Sequence, residues 1–174
     1  MGKPILFRQT RPGRYERPFM LLKFRTMTEA IEEDGHLKGD GERLTRLGRM
    51  IRASSVDELP QLWNVVRGEM SLVGPRPLLM RYLPFFTEVE RARFSVMPGI
   101  SGLAQVRGRN NLAWTDRLAS DIEYVERWSL QLDFCILAKT AWQVVKRDGI
   151  RIDPGAEMLD LDVERRTWRE GRSE

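Results

Sequence analysis

Pro60 is the residue that most constrains its surroundings. It stands in the run RASSVDELPQ, residues 52–61. A proline lacks an N–H and clashes with the turn before it, so it is tolerated in the first turn of a helix and not deeper. A helix is therefore predicted to start near Asp57 and run through LPQLWNVV, with Ser54 or Ser55 as its N-cap. This puts two adjacent carboxylates, Asp57 and Glu58, at a helix start, with Arg52 five residues upstream of the first. A carboxylate so placed can act as a nucleophile or a metal ligand, beside backbone N–H groups that favour phosphate. It can equally be an ordinary first-turn acid complementing the helix dipole.

The neighbouring segments add cations. After Gly68 the chain reads GEMSLVGPRPL, in which a short apolar, strand-like run leads into Pro75-Arg76-Pro77. Two prolines fix two φ angles and hold Arg76 in one direction, which suits a guanidinium fork that must meet a phosphate or a base edge. Earlier, Lys23-Phe24-Arg25-Thr26-Met27 alternates basic and apolar residues as a half-buried strand does, placing Lys23 and Arg25 on one face. Later, PGISGLAQVRGRN reads as a glycine-rich loop able to bring backbone close to a ligand, with Gln105 inside it.

In this order the segments resemble one family, the bacterial sugar transferases, which are polyprenyl-phosphate phosphoglycosyl transferases of the monotopic type. The matching runs are LFRQTRPGR (6–14), PFMLLKFRTM (18–27), RLTRLGRMIRASSVDELPQLWNVVRGEMSLVGPRPL (43–78) and PGISGLAQVRGRN (98–110), followed by DIEYV (121–125) and SLQLDFCILAKT (129–140). The resemblance implies a two-step transfer. A UDP-sugar gives its phosphosugar to an enzyme carboxylate with loss of UMP, and a polyprenyl (undecaprenyl) phosphate then takes it. It also implies residue roles: Asp57 as nucleophile, Glu58 as Mg2+ ligand, Arg52 on phosphate, and Pro75, Arg76 and Pro77 at the nucleotide end. Lys23 and Gln105 join the implied substrate-binding set. The family further implies the cytoplasmic face of the bacterial inner membrane as location, with the membrane surface as a partner. Members resembling this chain normally carry a hydrophobic re-entrant helix before the LFRQ strand. Here Met1-Gly2-Lys3-Pro4 leads straight into Ile5, so the chain is expected to be soluble as given, either truncated or an unusual member. A second departure is Arg107, where the family often has Asn.

The chemistry agrees with these roles. Phosphoryl transfer needs positioning and charge stabilisation above all. Mg2+ is commonly held by one or two carboxylates, with waters and substrate phosphates completing its shell. Other schemes are disfavoured. The single histidine, His36, lies in EEDGHLKGDGE, which reads as a mobile surface loop. The single cysteine, Cys135, lies in LDFCILA, where a thiol is expected to pack in a core. One cysteine cannot form an internal disulfide, nor with one histidine a Cys/His zinc site.

The net charge of +4 and pI near 9.6 suit a phosphate-bearing partner without choosing among nucleotide, lipid, membrane and nucleic acid. No apolar stretch reaches the roughly 18–20 residues needed to span a bilayer. A nucleic-acid-binding module is disfavoured, because the basic residues are scattered and no reader motif is present. A catalytically silent membrane-associated scaffold is disfavoured by the intact Arg52, Asp57, Glu58 and Pro-Arg-Pro.

At 174 residues the chain is expected to form a single α+β domain, predominantly α-helical, with a small N-terminal β-hairpin. Residues 1–152 form the catalytic unit and 153–174 a charged tail or short helix. The hairpin is predicted from Ile5–Arg11 and Phe19–Met27. Helices are predicted over Arg43–Ala53 with Leu44, Leu47 and Ile51 on one face, over 77–86 and 88–96 split near Pro84, and from a Thr115 cap to Trp128. A further helix runs from Leu130 to Val145 and ends at Gly149; its apolar and aromatic residues are expected to be mostly core, with a membrane-facing edge as the alternative that the family resemblance allows. Trp63, Val65 and Val66 are expected to enter the core, and Asp121 with Tyr124 to form a hydrogen-bonding pair or to contact substrate.

Overall fold

A computed structural model describes residues 4–28, 43–108, 112–146 and 160–170. The predicted positions of His36 and Gly149 fall outside these residues. Strands β1 (Leu6–Pro12) and β2 (Pro18–Phe24) form the expected antiparallel hairpin, with Leu6 opposite Phe24 and Pro12 opposite Pro18. The period of two in β2 puts Phe19, Leu21 and Lys23 on one face. Phe19 and Leu21 bury against Met70, with Val65 and Ile100 packed at the edge. Lys23 is thereby carried inward with them. Arg25 lies past the end of β2, and its Nε donates to the Pro4 carbonyl.

Helix α1 (Arg46–Ala53) starts later than predicted, because Thr45 caps it by accepting from the Gly48 N–H at 2.9 Å. Leu44 is buried ahead of the helix, bridging to Met27. Leu47 is half-exposed and Met50 more so. The predicted apolar face is thus not the docking face. Gly48 is: a Cβ there would lie 2.0 Å from the Thr26 carbonyl oxygen.

A one-turn 3-10 segment (Val56–Glu58) leads into α2 (Gln61–Val66). Asn64 locks α2 to the hairpin, since its Oδ1 accepts from Leu22 N–H and its Nδ2 donates to the Met20 carbonyl and to Glu69. Only Val65 of the three expected residues meets the core. Trp63 and Val66 point outward because Gln61 and Asn64 take the inner face of so short a helix.

Strands β3 (Ser71–Val73) and β4 (Gly99–Ser101) form a second, parallel pair, with Ser71 opposite Gly99 and Val73 opposite Ser101. The predicted glycine-rich loop is therefore a strand followed by helix α3 (Leu103–Gly108). Its first glycine serves backbone packing: a Cβ on Gly99 would sit 2.1 Å from the Gly74 nitrogen. Between β3 and β4 the chain makes 3-10 segments at Met80–Phe85 and Ala92–Ser95 around a single turn of α-helix, Glu88–Arg91. A capping box of Thr87 and Glu90 starts that turn, and Pro84 falls inside the segment before it.

Helix α4 (Trp114–Arg127) begins after Ala113, so Thr115 is not its cap. Helix α5 (Leu130–Lys146) is much less buried than expected. Ile136 alone among its described residues is fully buried, whereas Leu130, Phe134, Trp142 and Val145 are exposed, as is Cys135. Of the two alternatives for the C-terminal region, charged tail or short helix, the described residues form the helix, α6 (Leu161–Glu170). Leu161 is wholly buried with Leu78, Tyr82, Phe86, Phe94, Trp114 and Leu118. A second cluster gathers Val73, Leu103, Val106, Tyr124 and Ile136. The α+β class, dominated by helix with a small N-terminal hairpin, stands as predicted.

Candidate active site

The site grows from the break between α1 and α2. Ser54 does not cap the following turn. Its hydroxyl donates back to the Met50 and Ile51 carbonyls at 3.1 and 3.0 Å, closing α1. Ser55 then takes a left-handed conformation, φ 57° and ψ 15°, with no capping bond from its side chain. A β-carbon is strained in that region. The predicted N-cap is thus absent, and Asp57 and Glu58 occupy a tight turn between two helices, with Pro60 at the N-cap of α2.

Neighbours on this turn meet different surroundings. Glu58 Oε1 accepts from Arg76 Nη2 at 2.6 Å and from Lys23 Nζ at 3.0 Å. Burial alone would raise its pKa, but Arg76 and then Lys23 outweigh burial and hold the carboxyl at about 2. Arg76 is held protonated in return. Lys23 is lowered by burial and by repulsion from Arg76, which its bond to Glu58 does not fully offset. Asp57 is 8% exposed. Burial, followed by the adjacent Glu58 charge, pushes its carboxyl up, and Lys23, Arg52 and Arg76 pull it only partly back.

Arg52 stands beside this pair without bonding to it. Its Nε donates to Thr26 Oγ1 at 3.0 Å and its Nη2 to Met27 Sδ at 3.4 Å. Pro75 and Pro77 are buried on either side of Arg76. The backbone between them is fixed by Arg93, whose Nη2 donates to the Arg76 carbonyl at 2.7 Å. Arg93 is itself 3% exposed, clamped by Asp121 Oδ2 at 2.7 and 3.1 Å and flanked by the Phe86 and Phe94 rings. Asp121 and Tyr124 therefore do not pair with each other; Tyr124 donates to Asp133 and to the Val73 carbonyl. Gln105 donates to the Ile100 carbonyl at 2.7 Å. Arg107 pairs with Glu123 and Ser120.

Lys23, Glu58 and Arg76 thus converge in direct contact, Asp57 and Arg52 flank them, and Gln105 stays apart. Arg93 was not singled out from the sequence as a support of Arg76. A cation seventeen residues after Arg76 in a helical stretch carries no signal of a contact to its carbonyl.

The donor set for a divalent ion is small. Among the described residues, no group of three or more His, Cys, Asp or Glu could hold a metal. Asp57 and Glu58 offer hard oxygens, and Glu58 Oε2 accepts no hydrogen bond among the described residues. That chemistry fits Mg2+, which keeps waters and phosphate oxygens in its shell, and not an all-protein cage.

A buried acid lies within electrostatic reach of three cations, on a turn beside a proline-locked arginine, and such an arrangement can accommodate a phosphate. The chain belongs to the bacterial sugar transferase family, whose model matches residues 1–147. It is therefore a transferase, and its relatives give finer context. It is similar to the uncharacterized sugar transferase EpsL of Bacillus subtilis (strain 168), 50% identical, covering 87% of this chain and 75% of that protein. It is also similar to the UDP-galactose-lipid carrier transferase of Erwinia amylovora, 46% identical, over 85% of this chain and 34% of that one. The UDP-glucose:undecaprenyl-phosphate glucose-1-phosphate transferase of Caulobacter vibrioides is 44% identical, over 83% of this chain and 58% of that protein. The chain thus spans about a third to three quarters of these relatives' lengths.

Proposed function

We propose that this chain transfers a sugar-1-phosphate from a UDP-sugar to undecaprenyl phosphate, in two steps with Asp57 as the nucleophile. The observation that carries the reading is the contrast between adjacent acids. Glu58 is fixed as an anion by Arg76 and Lys23, while Asp57 is buried and left with an elevated pKa. An elevated pKa makes a carboxylate a stronger nucleophile once ionised. An Asp57 oxygen attacks the phosphorus that bears the sugar, and the diphosphate P–O bond breaks with its electrons leaving on UMP. The acceptor's phosphate oxygen then attacks the same phosphorus and returns the Asp57 carboxylate. Arg76, Lys23 and Arg52 hold the phosphate oxygens and offset their charge as they approach an acid. Mg2+, held through Glu58 and phosphate oxygens, would supply further charge neutralisation. The relatives named for UDP-galactose, UDP-glucose and undecaprenyl phosphate support this donor and acceptor.

The acceptor implies work at a membrane surface, on the cytoplasmic side where nucleotide sugars are made. No helix among the described residues is long and apolar enough to cross a membrane. The turn and helices around the dyad instead expose Leu47, Met50, Leu59, Leu62, Trp63 and Val66, with Arg46 and Arg49 exposed beside them. Apolar side chains next to basic ones suit an anionic lipid surface.

The decisive experiment is intact-protein mass after mixing with Mg2+ and a panel of UDP-sugars. A phosphosugar adduct appears in the wild type together with UMP, and is absent in Asp57→Asn. An adduct of equal yield in Asp57→Asn would remove Asp57 as the nucleophile.

A further inference from the structure

Lys23 and Arg76 reach Glu58 on one side and line a small cavity on the other. That cavity is about 30 Å3 and is lined by Arg11, Leu21, Lys23, Gln61, Arg76 and Pro77. By size it takes about two water-sized groups, since one needs roughly 10–15 Å3. Its polar lining consists of three cations and an amide, and no carboxylate borders it. Two buried donors there, Arg11 Nε and Gln61 Nε2, have no hydrogen-bond partner among the described residues. Gln61 is 2% exposed, so bulk water does not satisfy it.

A buried donor left unmade costs about 1–3 kcal/mol, and native folds rarely leave two together. Like charges crowd the same place. Burial and repulsion by Arg76 bring Arg11 down to about 10. Among the described residues Arg11 has a single hydrogen-bond partner, Gln9 Oε1, which accepts from its Nη2 at 2.7 Å. Glu58 and the adjacent Asp57 face Lys23 and Arg76, with Arg11 and Arg52 close by, so cations outnumber acids. The deficit of negative charge and of acceptors has one sign, and an oxyanion corrects both.

We propose that Arg11 and Gln61, with the far sides of Lys23 and Arg76, form a second oxyanion subsite behind the dyad that takes terminal oxygens of a phosphate monoester. Resting on the transfer reaction above, the subsite would hold the phosphate that is not being attacked: that of the departing nucleotide, or of the incoming lipid. Arg11 offers Nε and Gln61 its NH2, a charged and a neutral donor that together suit the oxygens of one phosphorus. Hairpin strand β1 brings Arg11 and α2 brings Gln61, so the subsite exists only in the folded chain.

The test titrates the full chain with inorganic phosphate, with UMP and with a short-chain polyprenyl phosphate in detergent, without any sugar donor. Affinity is read by calorimetry, and the Gln61 side-chain NH2 resonances are followed in the wild type. Phosphate is expected to shift those resonances saturably. Arg11→Gln should weaken phosphate binding about tenfold, the effect of one lost charge-assisted bond. Gln61→Met, close in volume, should weaken it severalfold. UMP competing with an equal loss in Arg11→Gln assigns the subsite to the leaving nucleotide; the lipid phosphate doing so assigns it to the acceptor. Both support the subsite. Resonances that stay put at saturating phosphate, or full affinity in Arg11→Gln, would overturn it. The wild-type resonances decide even if a variant fails to fold. A failure of the transfer reading looks different: no adduct forms on Asp57, while phosphate still binds through Arg11.

Discussion

At the scale of single residues, the site works by giving adjacent acids opposite environments. Glu58 has two cationic partners and titrates at about 2, against an ordinary value of 4.5. A depressed carboxyl stabilises the fold above its unfolded pKa, and the contribution fades as pH falls from 4.5 toward 2. Its size is about 3 kcal/mol before offsets. Asp57 has the opposite sign: its raised pKa means that ionisation costs the fold as pH rises. Lys23, lowered by burial, imposes a cost that is constant between pH 3 and 7 and leaves the acid limb to the two carboxyls. Glu58→Gln should therefore melt several degrees below the wild type at pH 7, with the gap narrowing markedly by pH 3. Parallel melting curves across that range would mean that Lys23 and Arg76 do not hold Glu58 in solution.

At the scale of elements, short pieces are held in place by single contacts. Helix α1 meets the hairpin's continuation at Gly48, where a methyl group would drive into the Thr26 carbonyl and the Thr45 cap. Gly48→Ala should cost about 1–3 kcal/mol by overpacking, although Gly→Ala in an open helix gains about 1 kcal/mol. Denaturant unfolding distinguishes the two, and a more stable Ala variant would refute the close approach. Thr26 also receives Arg52, so the same variant should slow adduct formation on Asp57. The Pro-Arg-Pro turn depends likewise on Arg93. Arg93→Lys keeps a charge for Asp121 and loses the planar fork that also reaches the Arg76 carbonyl. We expect a loss of about 1–2 kcal/mol in stability. Adduct formation should slow about tenfold or more, with UDP-sugar binding less affected, because Arg76 loses its aim. An unchanged rate would show that the two prolines alone suffice.

At the scale of the whole molecule, the interior is divided between two apolar clusters and a hairpin layer, and the apolar residues left over are outside. Trp63, Val66, Phe134, Trp142 and Val145 are each more than half exposed. If the α1–α2 surface rests on anionic lipid, Trp63→Glu with Val66→Glu should reduce flotation with phosphatidylglycerol vesicles severalfold, leaving the melting temperature within a few degrees. Equal flotation of the double variant would put the contact elsewhere. The C-terminal helix belongs to the body rather than trailing from it: Leu161 is fully buried, and Asp160 takes Arg81 and the Tyr82 hydroxyl.

Local chemistry was enough to read some of this from the chain. Two strand-like runs around a Pro-Gly loop marked the hairpin, Pro60 marked a helix start that the structure places at Gln61 and not near Asp57, and the order of motifs marked the family. These depend on backbone sterics and on residue type, which neighbours in sequence decide. What only the tertiary structure decided is which way each face turns and who meets whom. Trp63 and the apolar row of α5 read as core but lie outside, because hydrophobicity does not say which surface a helix finds covered. Ser54 closes the helix behind it instead of opening the one ahead, since both uses of a serine hydroxyl are local and close in energy. Arg93 under Arg76, and Arg11 beside Gln61, join segments 17 and 50 residues apart. Pairings at that range are set by how the hairpin, the turns and the helices pack together, and no periodicity along the chain records them.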